Sequence, residues 1–300
     1  MSERELYQVY KLFYTSQHSQ LVNLDLELEL GSVDPEYLKL AQSYQIRSLL
    51  ALGKYKEAAT KAASLKNDTL TTFIKFLESG SKQTEAFDAA FGASNEDTDA
   101  GASLYKALYF TITQQYDLAL AQLNPTVVDN ISLGVYISLK LGKLKDASKW
   151  LKQFPSGLKD SFIYNLTSSW FELFQFGDTL NSSFYHYDEI SSNDSTTTLK
   201  SLVCLLVANL KNLHFPEAKD VLNKIESLAE EKGGEFDQLK AWKADLLIDE
   251  ISYAIISGDA EYDSKKLLKE LETLDPSNEY IIDLKEKNEL FDGIVAKYAA

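Results

Sequence analysis

Gly53-Lys54-Tyr55-Lys56-Glu57-Ala58 decides the fold, because it returns along the chain with different residues in the same form. Gln115-Tyr116-Asp117-Leu118-Ala119, Gly142-Lys143-Leu144-Lys145-Asp146-Ala147 and Leu213-His214-Phe215-Pro216-Glu217-Ala218 are the other clear copies. Each is a turn, one large apolar residue, two mostly polar residues and an alanine. In a pair of antiparallel helices this phrase is the inter-helix turn. The large residue staples the second helix down, and the small alanine lets the two helices approach closely.

Counted on the large residue, Tyr55 to Tyr116 spans 61 residues, Tyr116 to Leu144 spans 28, and Leu144 to Phe215 spans 71. The long gaps are each about two repeats. Weaker copies fall inside them, at Ser81-Lys82-Gln83-Thr84-Glu85-Ala86 and Phe176-Gly177-Asp178-Thr179-Leu180. An early turn at Ser16-Gln17-His18-Ser19-Gln20 and a last one at Gly258-Asp259-Ala260-Glu261-Tyr262 complete the series. The sum is about eight helix pairs at a period near 34, the tetratricopeptide spacing. The expected fold is all-α: a tetratricopeptide-like helical-repeat solenoid, a curved superhelix, over residues 1–276, with a C-terminal capping helix over 277–300.

Local signals agree with that frame. Asp34-Pro35-Glu36 starts a helix, with Asp34 as N-cap and Pro35 at the first helical position, where a missing N–H costs nothing. Phe91 to Ala102, rich in Gly, Ser, Asn and acids, reads as a long polar connection. It lacks the acid that a calcium loop needs at its twelfth position. Gly233-Gly234 is expected to end the helix that begins at Pro216.

The balance of 30 basic and 45 acidic side chains, net charge −15, repels phosphate backbones and anionic lipid, so nucleic acid and direct membrane insertion are not expected. The single cysteine, Cys204, has no partner for an internal disulfide, and its apolar surroundings are too short to cross a bilayer. The opening residues Met1 to Glu5 lack the basic and apolar segments of a secretory signal, which points to the cytosol.

Catalysis finds little to work with. The three histidines, His18, His186 and His214, stand in or beside repeat turns or within an aromatic cluster, and none belongs to a nucleophile–base pattern. Metal-ligand spacings and phosphate-cradling glycine motifs are missing. No catalytic, cofactor-binding or metal-ligating residue is nominated, and no small-molecule substrate is expected. What the repeat register does nominate is a concave, partner-binding face. Counted back from each turn, it comprises Leu6, Tyr10 and Phe13 in the first pair, Leu40, Arg47 and Leu50 in the second, Leu104 and Leu108 in the fourth, and Tyr136 and Leu139 in the fifth. The first pair of an array has no preceding neighbour to bury it, so part of its aromatic stripe is expected to face a groove or a partner. An apolar, aromatic groove of this kind marks an interface, with Tyr10 and Phe13 as its anchors. A peptide-reading adaptor or co-chaperone is the alternative, but its groove would need clustered basic residues, and only Arg47 and Lys75 fall at such positions.

Three segments carry a resemblance beyond the repeats. Leu6-Tyr7-Gln8-Val9-Tyr10-Lys11-Leu12-Phe13-Tyr14 opens the chain, Tyr185-His186-Tyr187-Asp188-Glu189-Ile190 follows the middle repeats, and Glu286 to Tyr298 closes it with Leu290-Phe291-Asp292-Gly293-Ile294-Val295. In this order they resemble the epsilon subunit family of coatomer, the COPI coat of Golgi-derived vesicles. The resemblance implies a non-enzymatic structural subunit that binds and stabilises the C-terminal region of the alpha subunit. It also implies a place in Golgi-to-ER and intra-Golgi transport, peripheral on Golgi membranes and coated vesicles through the coat.

Overall fold

A computed structural model of the chain describes residues 6–31, 34–92, 100–175, 180–193, 195–232 and 237–298. Every regular element among them is a helix. The chain begins with α1 (Tyr7–Tyr14), α2 (His18–Asn23) and α3 (Leu26–Leu30). Pairs follow: α4 (Pro35–Ala51) with α5 (Tyr55–Leu65), α6 (Asp68–Glu78) with α7 (Glu85–Gly92), α8 (Ala100–Ile112) with α9 (Tyr116–Gln122), and α10 (Val128–Lys140) with α11 (Leu144–Leu151). A 3-10 turn at Ser156–Leu158 leads to α12 (Phe162–Leu173) and α13 (Leu180–Ser192). The remainder is α14 (Leu199–Lys211) with α15 (Phe215–Lys232), α16 (Asp237–Ser257) with α17 (Ser264–Leu274), and α18 (Glu279–Tyr298). This is an all-α helical-repeat solenoid, with helices packed in neighbouring pairs along much of the chain.

The recurring phrase has one geometry. A left-handed residue lies two places before the large apolar one: Gly53 (φ 70°), Gln114 (60°), Gly142 (67°) and Leu213 (60°), with Ser16 (61°) in the early copy. The next amide then reaches back across the helix end, Lys54 N to Leu49 O at 2.9 Å, Gln115 N to Phe110 O at 2.7 Å, Lys143 N to Ser138 O at 2.8 Å and His214 N to Asn209 O at 2.9 Å. Those bonds satisfy carbonyls that a helix end otherwise leaves unpaired. Tyr55, Tyr116, Leu144 and Phe215 each open the following helix. Ala58, Ala119, Ala147 and Ala218 are fully buried where that helix meets its partner.

Three details differ from the sequence expectation; the connection expected over Phe91 to Ala102 is helical at both ends, because α7 runs through Gly92 and α8 begins at Ala100. The short α3 was not foreseen; the Asp25 carboxylate accepts from the amides of Glu27 and Leu28, both at 3.1 Å, while Leu26 and Leu30 bury one turn apart. In the last copy the helix starts at Ser264, after Tyr262, because Asp263 caps the amides of Lys265 and Lys266. Asp34 caps α4 as expected, accepting from Glu36 N at 3.0 Å. Residues 93–99 of the polar connection, the weak turn copy at 176–179 and Gly233-Gly234 lie outside the described residues.

The chain forms two compact units, Met1–His186 and Tyr187–Ala300, with the boundary inside α13. In the first, α5 packs on α6, α6 on α8, α8 on α10 and α10 on α12. Its main core is aromatic: Tyr109 stacks on Phe91 at 4.4 Å and meets Phe76 edge-on at 4.7 Å, with Ile46, Leu49 and Leu70 in the same cluster. In the second unit α14 packs on α15 and α16, and Leu247, Ile251, Leu271 and Ile281 form a small core under α18. Only the start of α18 is packed. From Lys285 to Tyr298 its side chains are exposed, Phe291 at 64% and Tyr298 at 84%.

Candidate partner-binding surface

A solenoid normally lets each repeat touch only its neighbours. The first unit breaks that rule, since α1 packs on α12 as well as on α2 and α4. The Tyr7 and Phe162 rings meet at 5.5 Å. Beside them, Asp129 in the first turn of α10 takes three donors from the opposite side: Arg47 Nη2 at 3.0 Å and the Tyr14 hydroxyl at 3.3 Å on one carboxylate oxygen, and the Tyr44 hydroxyl at 2.9 Å on the other. The Arg47 guanidinium also lies over the rings of Phe13 (4.5 Å) and Tyr44 (4.6 Å). One charge thus serves an ion pair and two cation–π contacts.

The electrostatics follow from that enclosure. Burial disfavours the Arg47 charge, yet the Asp129 carboxylate together with the neighbouring Tyr44, Tyr14 and Tyr105 phenols outweighs it and holds the guanidinium more firmly protonated than usual. Burial, and after it Asp129, pushes the Tyr14 and Tyr44 phenols well above their ordinary range, so both remain donors. Next to the knot lies a cleft of about 220 Å³ lined by Tyr10, Leu40, Tyr44, Val128, Phe162 and Ile163 among others.

The residues expected on the concave face divide into three groups. Leu40 (37% exposed) and Tyr136 (43%) are on the surface, and Tyr136 rests against Trp170 at 6.3 Å. Tyr10, Phe13 and Arg47 are half-buried, Phe13 and Tyr10 edge-on to Tyr44 at 4.9 Å and 5.2 Å. Leu50 and Leu108 are half-buried against the main core. Leu6, Leu104 and Leu139 require a correction, because they are buried inside the unit and line no groove. On a helix sandwiched between its partner and the next repeat, apolar positions one turn apart face different neighbours, and a count from the turn does not separate them. The aromatic stripe of α1 is likewise covered in part by this chain's own α4 and α12. Sequence reasoning missed Tyr14, Tyr44, Asp129 and Phe162. A signal was present in Arg47, a lone cation among apolar neighbours that needs an anion within reach.

Among the described residues no helix is long and apolar enough to cross a membrane, and no group of three His, Cys, Asp or Glu side chains could hold a metal ion. A family model described as "Coatomer epsilon subunit" matches residues 2–299. Coatomer subunit epsilon of Saccharomyces cerevisiae is 25% identical over 277 residues, covering 85% of this chain and 87% of the yeast protein. With helix pairs along its length and the family match spanning nearly all of its residues, the chain belongs to the coatomer epsilon subunit family.

Proposed function

We propose that the chain is a non-enzymatic structural subunit of the COPI coat that binds and stabilises the C-terminal region of the coatomer alpha subunit. In this reading it supports Golgi-to-ER retrograde and intra-Golgi transport on the cytoplasmic side of Golgi membranes, held there by the coat. The observation that carries partner binding is the pairing of exposed apolar side chains, Leu40 on α4 and Tyr136 on α10, with the apolar cleft beside Tyr10. An apolar side chain left in water on a folded repeat gains by being covered, and a cleft of that size accepts one large side chain from a partner. The acidic balance of the chain favours a basic partner surface.

Affinity purification from the source cells with the chain tagged at Ala300, followed by mass spectrometry at moderate salt, tests the reading. Near-stoichiometric recovery of the alpha subunit, with other coat subunits in lesser amount, is the expected result. Recovery of chaperones or proteins bearing short acidic tails in place of coat subunits would overturn it.

A further inference from the structure

The seam where α1 and α4 meet α10 and α12 is built unlike the rest of the first unit. Elsewhere the repeats join through contiguous apolar side chains such as Ile46, Phe73, Phe76 and Tyr109. At the seam Tyr14 packs against the Ile131, Phe154 and Ile163 cluster, and the joint adds one carboxylate shared by three donors and a ring pair, beside a cleft. Such contacts are mutually dependent. Losing the carboxylate leaves the guanidinium without its counter-charge and the two phenols with only each other, Tyr14 to Tyr44 at 3.0 Å, to bond. A joint whose polar contacts all share one carboxylate loses them together, while repeat-to-repeat packing resists along its whole length.

We propose that the seam is a releasable clasp: α1 and α4 part from α10 and α12 as a local step, with α6 and α8 still packed between them, and so open the concave side of the first unit. That a partner segment enters there rests on the function proposed above; the opening itself is a property of the free chain. Hydrogen–deuterium exchange of the purified full chain, unchanged and as Asp129→Asn, decides it. The amides of α1 and α12 should exchange about 10-fold faster or more in the variant, with those of α6 and α8 unchanged. Tyr14→Phe, which removes one of the three donors, should give a smaller rise at the same peptides and serves if Asp129→Asn fails to fold. Unchanged exchange in α1 and α12, or an equal rise in α6 and α8, would overturn the clasp. A separate binding assay with a C-terminal fragment of the alpha protein of the coat keeps the two ideas apart. A fragment that bound neither form would remove the partner reading and leave the exchange result standing.

Discussion

Gly134 of α10 faces the indole of Trp150 on α11. A β-carbon at position 134 would stand 2.5 Å from Cδ2, 2.7 Å from Cε2 and 2.9 Å from Cε3 of that ring. Carbon pairs prefer about 3.5–4.0 Å. An alanine therefore requires α10 and α11 to move apart by about 1 Å, or the indole to leave its packing beside Val135, Leu139 and Ala147. Two effects compete. Alanine gains about 1 kcal/mol over glycine in a helix interior, while overpacking a core costs about 1–3 kcal/mol. Since all three close atoms belong to one rigid ring, the upper part of that range applies. Gly134→Ala should lose about 1–2 kcal/mol, read as a lower urea midpoint by circular dichroism together with altered tryptophan fluorescence. In a Trp150→Leu background the clash disappears, and the same substitution should become neutral or stabilising by up to about 1 kcal/mol. A single Gly134→Ala chain with a raised midpoint would refute the close approach of the two helices.

Leu213 carries a left-handed backbone and is well exposed, so Leu213→Gly should relieve about 1–2 kcal/mol of strain and return part of it to chain entropy, raising the thermal midpoint; a lower midpoint would count against the turn geometry. Burial, then Asp245 and Glu250, raises the Asp249 carboxyl well above its ordinary range, and its buried Oδ2 has no hydrogen-bond partner among the described residues. The folded chain keeps that proton where the unfolded chain has lost it, so the second unit should lose stability as pH rises from about 4 through the folded pKa. Asp249→Asn should reduce this slope and raise stability at neutral pH, with urea midpoints at pH 5 and pH 8 as the check. Asp245 and Glu250, raised chiefly by burial, account for the slope that remains. Leu40→Asp and Tyr136→Ala should each weaken binding of the alpha-subunit fragment about 10-fold or more while changing stability by under about 1 kcal/mol; undiminished affinity in a calorimetric titration would remove these positions from the interface.

The pairs of helices were legible because the four clear inter-helix turns repeat the same local requirement: a left-handed residue, a large residue two places on, then an alanine facing the partner helix. Those are short-range constraints, and they leave a period in the sequence. The seam left none. Arg47 and Asp129 are 82 residues apart and Tyr14 and Asp129 are 115 apart, so no spacing rule joins them. The expectation that the first pair lacks a neighbour on one side failed for the same reason, since α12 fills that place. Leu104 and Leu139 show a different limit. Period identifies an apolar stripe, and which part of the stripe meets the paired helix depends on crossing angles that sequence does not state.

The distance in sequence across the seam bears on how the protein is made. An array of neighbour contacts can fold repeat by repeat behind the ribosome. Here Tyr14 must wait for a residue 115 positions later, roughly 6–23 s at a synthesis rate of about 5–20 residues per second. Throughout that interval the aromatic edge of the nascent N-terminal helix lacks its final cover. The same dependence constrains the number of repeats in the first unit, since inserting or deleting one helix pair between Arg47 and Asp129 would move the two apart.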